Sequence, residues 1–254
     1  MSDKPEKADQ LQGDPWVSLK NFTAARIAIG RVGSSIPLRQ MLNFKLAHAH
    51  ARDAVYSKLD IDALSDALEE FNLPVYQLHS RAINREKYLT RPDYGRRLDE
   101  TSVEALRDQV PVTISLVIAD GLSAAAVNQY AVELLRLLIP KLVAANTGTL
   151  NISLAEQGRV AIADEIGQYF DAELSVILVG ERPGLTAPDS MSAYLTYKPR
   201  VGLTDESRNC ISNIRPDGLD IRPAADKLFY LISESLKRKL SGVELKDRHG
   251  LLSS

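Results

Sequence analysis

The sequence predicts an α/β fold: a doubly wound, mainly parallel sheet preceded by a helical N-terminal region. Two apolar runs carry much of this reading, Val112-Thr-Ile-Ser-Leu-Val-Ile118 and Leu174-Ser-Val-Ile-Leu-Val179. Both are short, rich in β-branched residues and nearly free of polar positions, as strands buried on two faces are. Between and after them lie longer stretches with helical spacing, and strands alternating with helices imply a parallel sheet covered on both sides. Before residue 109, by contrast, the apolar residues recur mostly at three and four.

Taken in order, residues 1–13 read as a disordered leader, polar and of mixed charge. Order is expected from Asp14-Pro-Trp16, with Trp16 packed as an anchor. Pro37 suits the first turn of a helix, and Leu38, Met41, Leu42, Leu46 and Ala49 follow as an amphipathic stripe. Asp60 or Asp62 can cap a helix carrying Leu64, Leu68 and Phe71. Arg91-Pro92 forces a break, and Thr101 with Glu104 has the spacing of a capping box. Residues 14–108 are therefore expected to be mainly helical. The sheet domain, 109–254, starts with the strand at 112–118, which ends at Asp120-Gly121. Ser123 opens a helix to about residue 145. Strands are expected at 150–154, 174–179, 194–197 and 210–214, and helices at 160–170 and 223–240.

Composition excludes several classes. The 254 residues carry 31 basic and 33 acidic side chains, a net charge of −2, so there is no basic excess to bind nucleic acid. No apolar run reaches membrane-spanning length. The single cysteine, Cys210, can form no internal disulfide and no thiolate-rich metal site. The polar start carries no signal peptide, and the chain reads as cytoplasmic.

In open α/β sheets ligands bind beyond the carboxyl ends of the strands. That rule selects the loops Asp120-Gly-Leu-Ser123 and Gly180-Glu-Arg-Pro-Gly184, with the segment Asn209-Cys-Ile-Ser-Asn213. Neither Gly-x-Gly-x-x-Gly nor a Walker Gly-x-x-x-x-Gly-Lys-Ser follows a strand. Gly30-Arg-Val-Gly33 reads as a helix C-cap and turn. No Gly-x-Ser-x-Gly elbow is present. Cys210 could serve a stand-alone thiol hydrolase, but His48, His50, His79 and His249 all fall outside the expected sheet domain; a small, buried hydrophobe is the plainer reading. His48 and His50 lie on different helix faces and make a poor chelating pair. The run Thr90–Arg97 is either a solvated face or, through Arg91, Arg96 and Arg97, a subunit interface. Two charges set between glycines at a strand end, in Gly180–Gly184, point more firmly to a ligand.

A set of long strings, in order, resembles the ethanolamine ammonia-lyase small (light) subunit family. They include Ala47-His-Ala-His-Ala-Arg-Asp-Ala-Val55, Tyr88-Leu-Thr-Arg-Pro-Asp-Tyr-Gly-Arg-Arg-Leu98, Ala119-Asp-Gly-Leu-Ser123, Gly158-Arg-Val160, Asp164-Glu-Ile-Gly167, Val179-Gly-Glu-Arg-Pro-Gly-Leu185 and Arg208-Asn-Cys-Ile-Ser-Asn-Ile214. The resemblance implies a Rossmann-like cobalamin-binding domain in a non-catalytic subunit of an adenosylcobalamin-dependent lyase. That enzyme turns ethanolamine into acetaldehyde and ammonia by radical chemistry. The implied partner is a TIM-barrel large subunit, with six copies of each subunit. Carried over residue by residue, the cofactor contacts are Val160, Glu181 and Cys210. No Asp-x-His-x-x-Gly string is present, so the cofactor is expected to bind base-on. Some relatives carry a longer N-terminal extension that directs them to a bacterial microcompartment; the short leader here is expected to leave the enzyme free in the cytoplasm.

Overall fold

A computed structural model describes residues 14–23 and 25–246. The leader 1–13 and His249 lie outside them. Six strands form one sheet in the order β1-β3-β2-β4-β5-β6: β1 Val75–His79, β2 Ile114–Ala119, β3 Leu150–Glu156, β4 Leu174–Gly180, β5 Met191–Tyr197 and β6 Arg208–Ile214. The first four strands in that spatial order run parallel, and β5 and β6 join antiparallel. Among the described residues seven α-helices accompany them: α1 Leu38–Val55, α2 Ile61–Leu68, α3 Arg85–Thr90, α4 Glu100–Ala105, α5 Ala124–Ala144, α6 Ile162–Tyr169 and α7 Ile221–Arg238.

The α/β class and the mainly parallel sheet stand as expected, and the N-terminal region is partly helical. One strand comes from an unexpected place. Val75-Tyr-Gln-Leu-His79, inside the expected helical region, adds β1 to the edge beside β3. Leu78 is buried, Gln77 is exposed and the other three residues are half-buried; five such residues are too few to be told from a helical turn by spacing alone.

Helix caps follow local chemistry. Asp60 accepts from the Ala63 amide at 3.2 Å and Ser123 from the Ala125 amide at 3.3 Å. At α4 the cap is Asp99, which accepts from Ser102 N at 2.8 Å. The helix thus starts two residues before the expected Thr101/Glu104 box. α3 ends at Thr90, where Arg91-Pro92 breaks it.

The core has two layers. On one face α2, α5 and α7 cover the sheet through Leu134, Leu138, Leu228 and Ile232 against Leu116, Ile118 and Val176. On the other, α6 and the segment around Leu98 and Leu106 cover Val117, Ile177 and Val179. α6 is fixed at both flanks by neighbouring carboxylates of its first turn. Glu165 takes a bidentate pair from Arg97, at 2.7 and 3.0 Å, and the Leu98 amide at 2.7 Å. Asp164 receives Arg208 Nη1 from β6 at 2.6 Å. Arg97 thereby braces α6 while its side chain stays partly exposed, and Arg91 pairs with Asp93 two residues on.

Residues 16–56 depart furthest from expectation. Trp16 is 63% exposed and is no anchor. Leu38, Met41, Leu42 and Leu46 all face out, and Ala54 is the one buried residue of α1. Gly33 adopts positive φ in a turn closed by a Val32–Ser35 bridge, Gly30 does so just before it, and among the described residues no α-helix precedes them.

Candidate functional site

The carboxyl ends of β2 and β4 lie side by side, and their loops interlock through two glycines. Gly121 has φ +59°, and a Cβ there would overlap Gly180 O. A Cβ at Gly180 would overlap Ser123 O and lie 2.6 Å from Asp120 O. The Leu122 amide then donates to Gly180 O at 3.0 Å. Gly184 differs: a Cβ there would meet nothing closer than 3.5 Å. Of the two glycines that bracket the charged loop, only Gly180 is sterically required.

Asp120 ties this junction to β3. Its carboxylate accepts from Gln157 N at 3.0 Å and Gly158 N at 2.9 Å, with Arg85 Nη1 at 3.8 Å. Burial pushes its pKa up to about 6 despite Arg85 and the two amides, which oppose the shift. The folded state therefore holds a proton that the unfolded chain releases between about pH 4 and 6. Stability contributed by this group is highest below that window and falls as pH rises through it. Denaturant midpoints measured from pH 4 to 7 are expected to show this fall in the native chain, and Asp120→Asn is expected to flatten that part of the profile.

Beside the junction is a hollow of about 250 Å3. Leu122, Val160 and Val179 give it apolar wall; Arg159, Glu181 and Arg182 are its charged residues. Glu181 is held in place. Its Oε1 accepts from Ser192 Oγ and from the Asn213 amide at 2.9 Å, and its own amide donates to Ser190 O at 3.0 Å. Tyr88 forms the base, stacked between two guanidiniums, with Arg85 at 4.5 Å and Arg159 at 4.4 Å from its ring centre. Burial, above all, drives the Tyr88 hydroxyl up to about 12, so it stays neutral.

The expected site residues fall out as follows. Val160 and Glu181 line the same hollow. Cys210 is one step away, on β6 opposite Tyr194. It is exposed and not the buried hydrophobe of the plainer reading. The cysteine borders a neighbouring cleft of about 260 Å3, and its thiol contacts Tyr194 and Ser192 of the hollow wall. Ile211, next along β6, packs into the α7-side core, so by strand alternation Cys210 faces the other side of the sheet, where α6 lies. Desolvation pushes the thiol up, partly opposed by hydrogen bonds with Tyr194 and Ser192. That is the opposite of an activated nucleophile, and no histidine lines either cavity. His79 does belong to the sheet, at the end of β1, contrary to expectation, but it contacts Ser80 O at 2.6 Å and lies beyond β3, away from the hollow.

Sequence reasoning missed Tyr88 and Ser192 as site residues. Tyr88 comes from α3, outside the expected sheet domain. Ser192 sits at the amino end of β5, and a rule about carboxyl ends overlooks it. β5 runs antiparallel, so its start shares an edge with the end of β4. A larger hollow of about 640 Å3 lies between residues 14–16 and 28–36, but no strand end reaches it.

The hollow beside β4 is smaller than the roughly 300–1,000 Å3 of most complete small-molecule sites. A hollow of this size can seat a small group or a substituent of a larger ligand. Among the described residues no helix is long and apolar enough to cross a membrane. The family model described as Ethanolamine ammonia-lyase light chain (EutC) matches residues 13–246. Among curated proteins, the ethanolamine ammonia-lyase small subunit of Pseudomonas aeruginosa is 49% identical over 252 residues, covering 97% of this chain and 92% of the relative. The small subunit of Azotobacter vinelandii is 51% identical over 239 residues, covering 92% and 88%.

Proposed function

The chain belongs to the ethanolamine ammonia-lyase light-chain family, and from that premise we propose that its strand-end hollow holds one side of adenosylcobalamin against a large subunit. In this reading the complex converts ethanolamine to acetaldehyde and ammonia, and this chain carries no catalytic residue. The large subunit is a TIM barrel, the assembly holds six of each chain, and it works free in the cytoplasm. The observation that carries the reading is the fixed carboxylate of Glu181 at the junction of β4, β5 and β6.

The donor set suits the group. A corrin rim presents neutral amides around an apolar macrocycle, so its site calls for apolar wall and a few fixed acceptors. Val160, Leu122 and Val179 are the wall. Glu181 Oε1 is spent on Ser192 and Asn213, which leaves Oε2 without a partner among the described residues and free to accept an amide N–H. Cys210 and Tyr194 extend the surface across the sheet. When bound, adenosylcobalamin supplies radical chemistry through homolysis of its cobalt–carbon bond. The protein's part is to bind, orient and exclude water from the covered face. With no histidine lining the hollow, the cofactor keeps its own lower base.

Glu181→Ala in the assembled complex is expected to weaken cobalamin binding by roughly 10- to 100-fold, the worth of one or two hydrogen bonds to a charged acceptor. Equilibrium dialysis reads this directly. Unchanged affinity would remove Glu181 from the site. The isolated chain is expected to deaminate nothing.

A further inference from the structure

We infer that Arg159 and Arg182 hold the phosphodiester of the cofactor's nucleotide tail; this rests on the cobalamin reading above and assigns a place within it. The charges of the hollow do not balance. Arg159 and Arg182 oppose one carboxylate, Glu181, leaving one positive charge in excess among the lining residues. Neither arginine has an acidic partner: Arg159 donates from Nη2 to Tyr88 O at 2.8 Å and stacks on the Tyr88 ring, and Arg182 makes no hydrogen bond or ion pair with the described residues. Arg159 Nε is buried with no hydrogen-bond partner. A buried guanidinium N–H left unmatched is costly, and a guanidinium with no acidic partner pairs strongly with a phosphate oxygen.

The neighbouring charges do not supply that anion. Arg85 and Asp120 face each other at 3.8 Å, and Asp120 spends its oxygens on Gln157 and Gly158. Glu181 is oriented by neutral donors, Ser192 and the Asn213 amide. Cobalamin's peripheral groups are neutral amides, and its one phosphodiester carries a single negative charge. That charge equals the excess in the hollow.

The test compares two ligands on the assembled complex with the large subunit: hydroxocobalamin, and cobinamide, which lacks the phosphodiester, ribose and base. Binding is followed by equilibrium dialysis and by the corrin absorbance, at low and high salt. Arg182 is exposed, so Arg182→Ala should fold normally. It is expected to weaken hydroxocobalamin ~10-fold or more, to leave cobinamide unchanged and to flatten the salt dependence. Arg182→Lys keeps the charge and is expected to recover most of the affinity. Equal weakening of both ligands, or no change in either, overturns the assignment while the cobalamin reading stands. A wild-type complex that binds neither ligand overturns both. Loss of affinity for both ligands in Glu181→Ala, beside a cobalamin-only loss in Arg182→Ala, is the pattern that upholds the two together.

Discussion

Gly180→Ala is expected to destabilise the chain by about 3 kcal/mol or more and to abolish cofactor binding in the complex. The reason is backbone packing. A methyl group at this position would overlap Ser123 O and lie 2.6 Å from Asp120 O, and both are main-chain atoms. Neither can swing aside as a side chain can. Ser123 caps α5, and Asp120 binds the turn after β3. The end of β4 would have to part from the end of β2, carrying Glu181 away from Ser192 and the Asn213 amide. Gly184→Ala is the matched control. Its new Cβ would meet Ala187 atoms at 3.5 Å or more, an ordinary contact, so stability should change little. Chemical denaturation of both variants reads the difference. Equal tolerance of the two substitutions would show that the two loops are not interlocked.

Arg208→Ala is expected to cost about 3–5 kcal/mol through the charge it strands. Arg208 and Asp164 side chains are each 2% exposed and meet at 2.6 Å. The guanidinium also donates to Leu203 O at 3.1 Å and to Thr196 Oγ1 at 3.3 Å. Burial pushes the Asp164 carboxyl up, and Arg208 is the partner that holds it down. Without Arg208, Asp164 must take up a proton or draw in water. The double variant Arg208→Met with Asp164→Leu removes both charges and is expected to recover most of the loss, since a buried pair can be replaced by apolar residues of similar volume. Thermal and urea unfolding of the two variants form the measurement. A single variant as stable as the parent would mean that Asp164 reaches solvent. The damage should extend to the site, because α6 and β6 bear Val160 and Cys210 at their margins, and this ion pair joins the two elements.

The helices and buried strands of the C-terminal half were legible because their signals are local. Val112–Ile118 and Leu174–Val179 are apolar throughout, and strands buried on both faces need that. Ser123 caps α5 as a helix-opening serine should. Glu181 was legible too, as a charge between glycines at the end of such a strand. The order of the strings also pointed to the family that the comparisons show.

Other features depended on partners distant in sequence. β1 is a strand because the edge of β3 accepts it; its five residues carry little signal of their own. Asp99 outcompeted Thr101 as a cap because its oxygen reaches the Ser102 amide. The stripe of α1 was correctly read as apolar, but the sequence cannot say whether an apolar face has something to pack against, and among the described residues Leu38, Met41, Leu42 and Leu46 stay exposed. Ser192 joined Glu181 because β5 turns back antiparallel and starts where β4 ends. Tyr88 joined Arg159 because α3 folds under the turn after β3. Periodicity and composition are properties of neighbours along the chain, so they suffice for elements whose signal is local, such as β2, β4 and α5. Which strand ends share an edge, and which charges find partners there, is set by the packing of the whole sheet, and no local pattern encodes it.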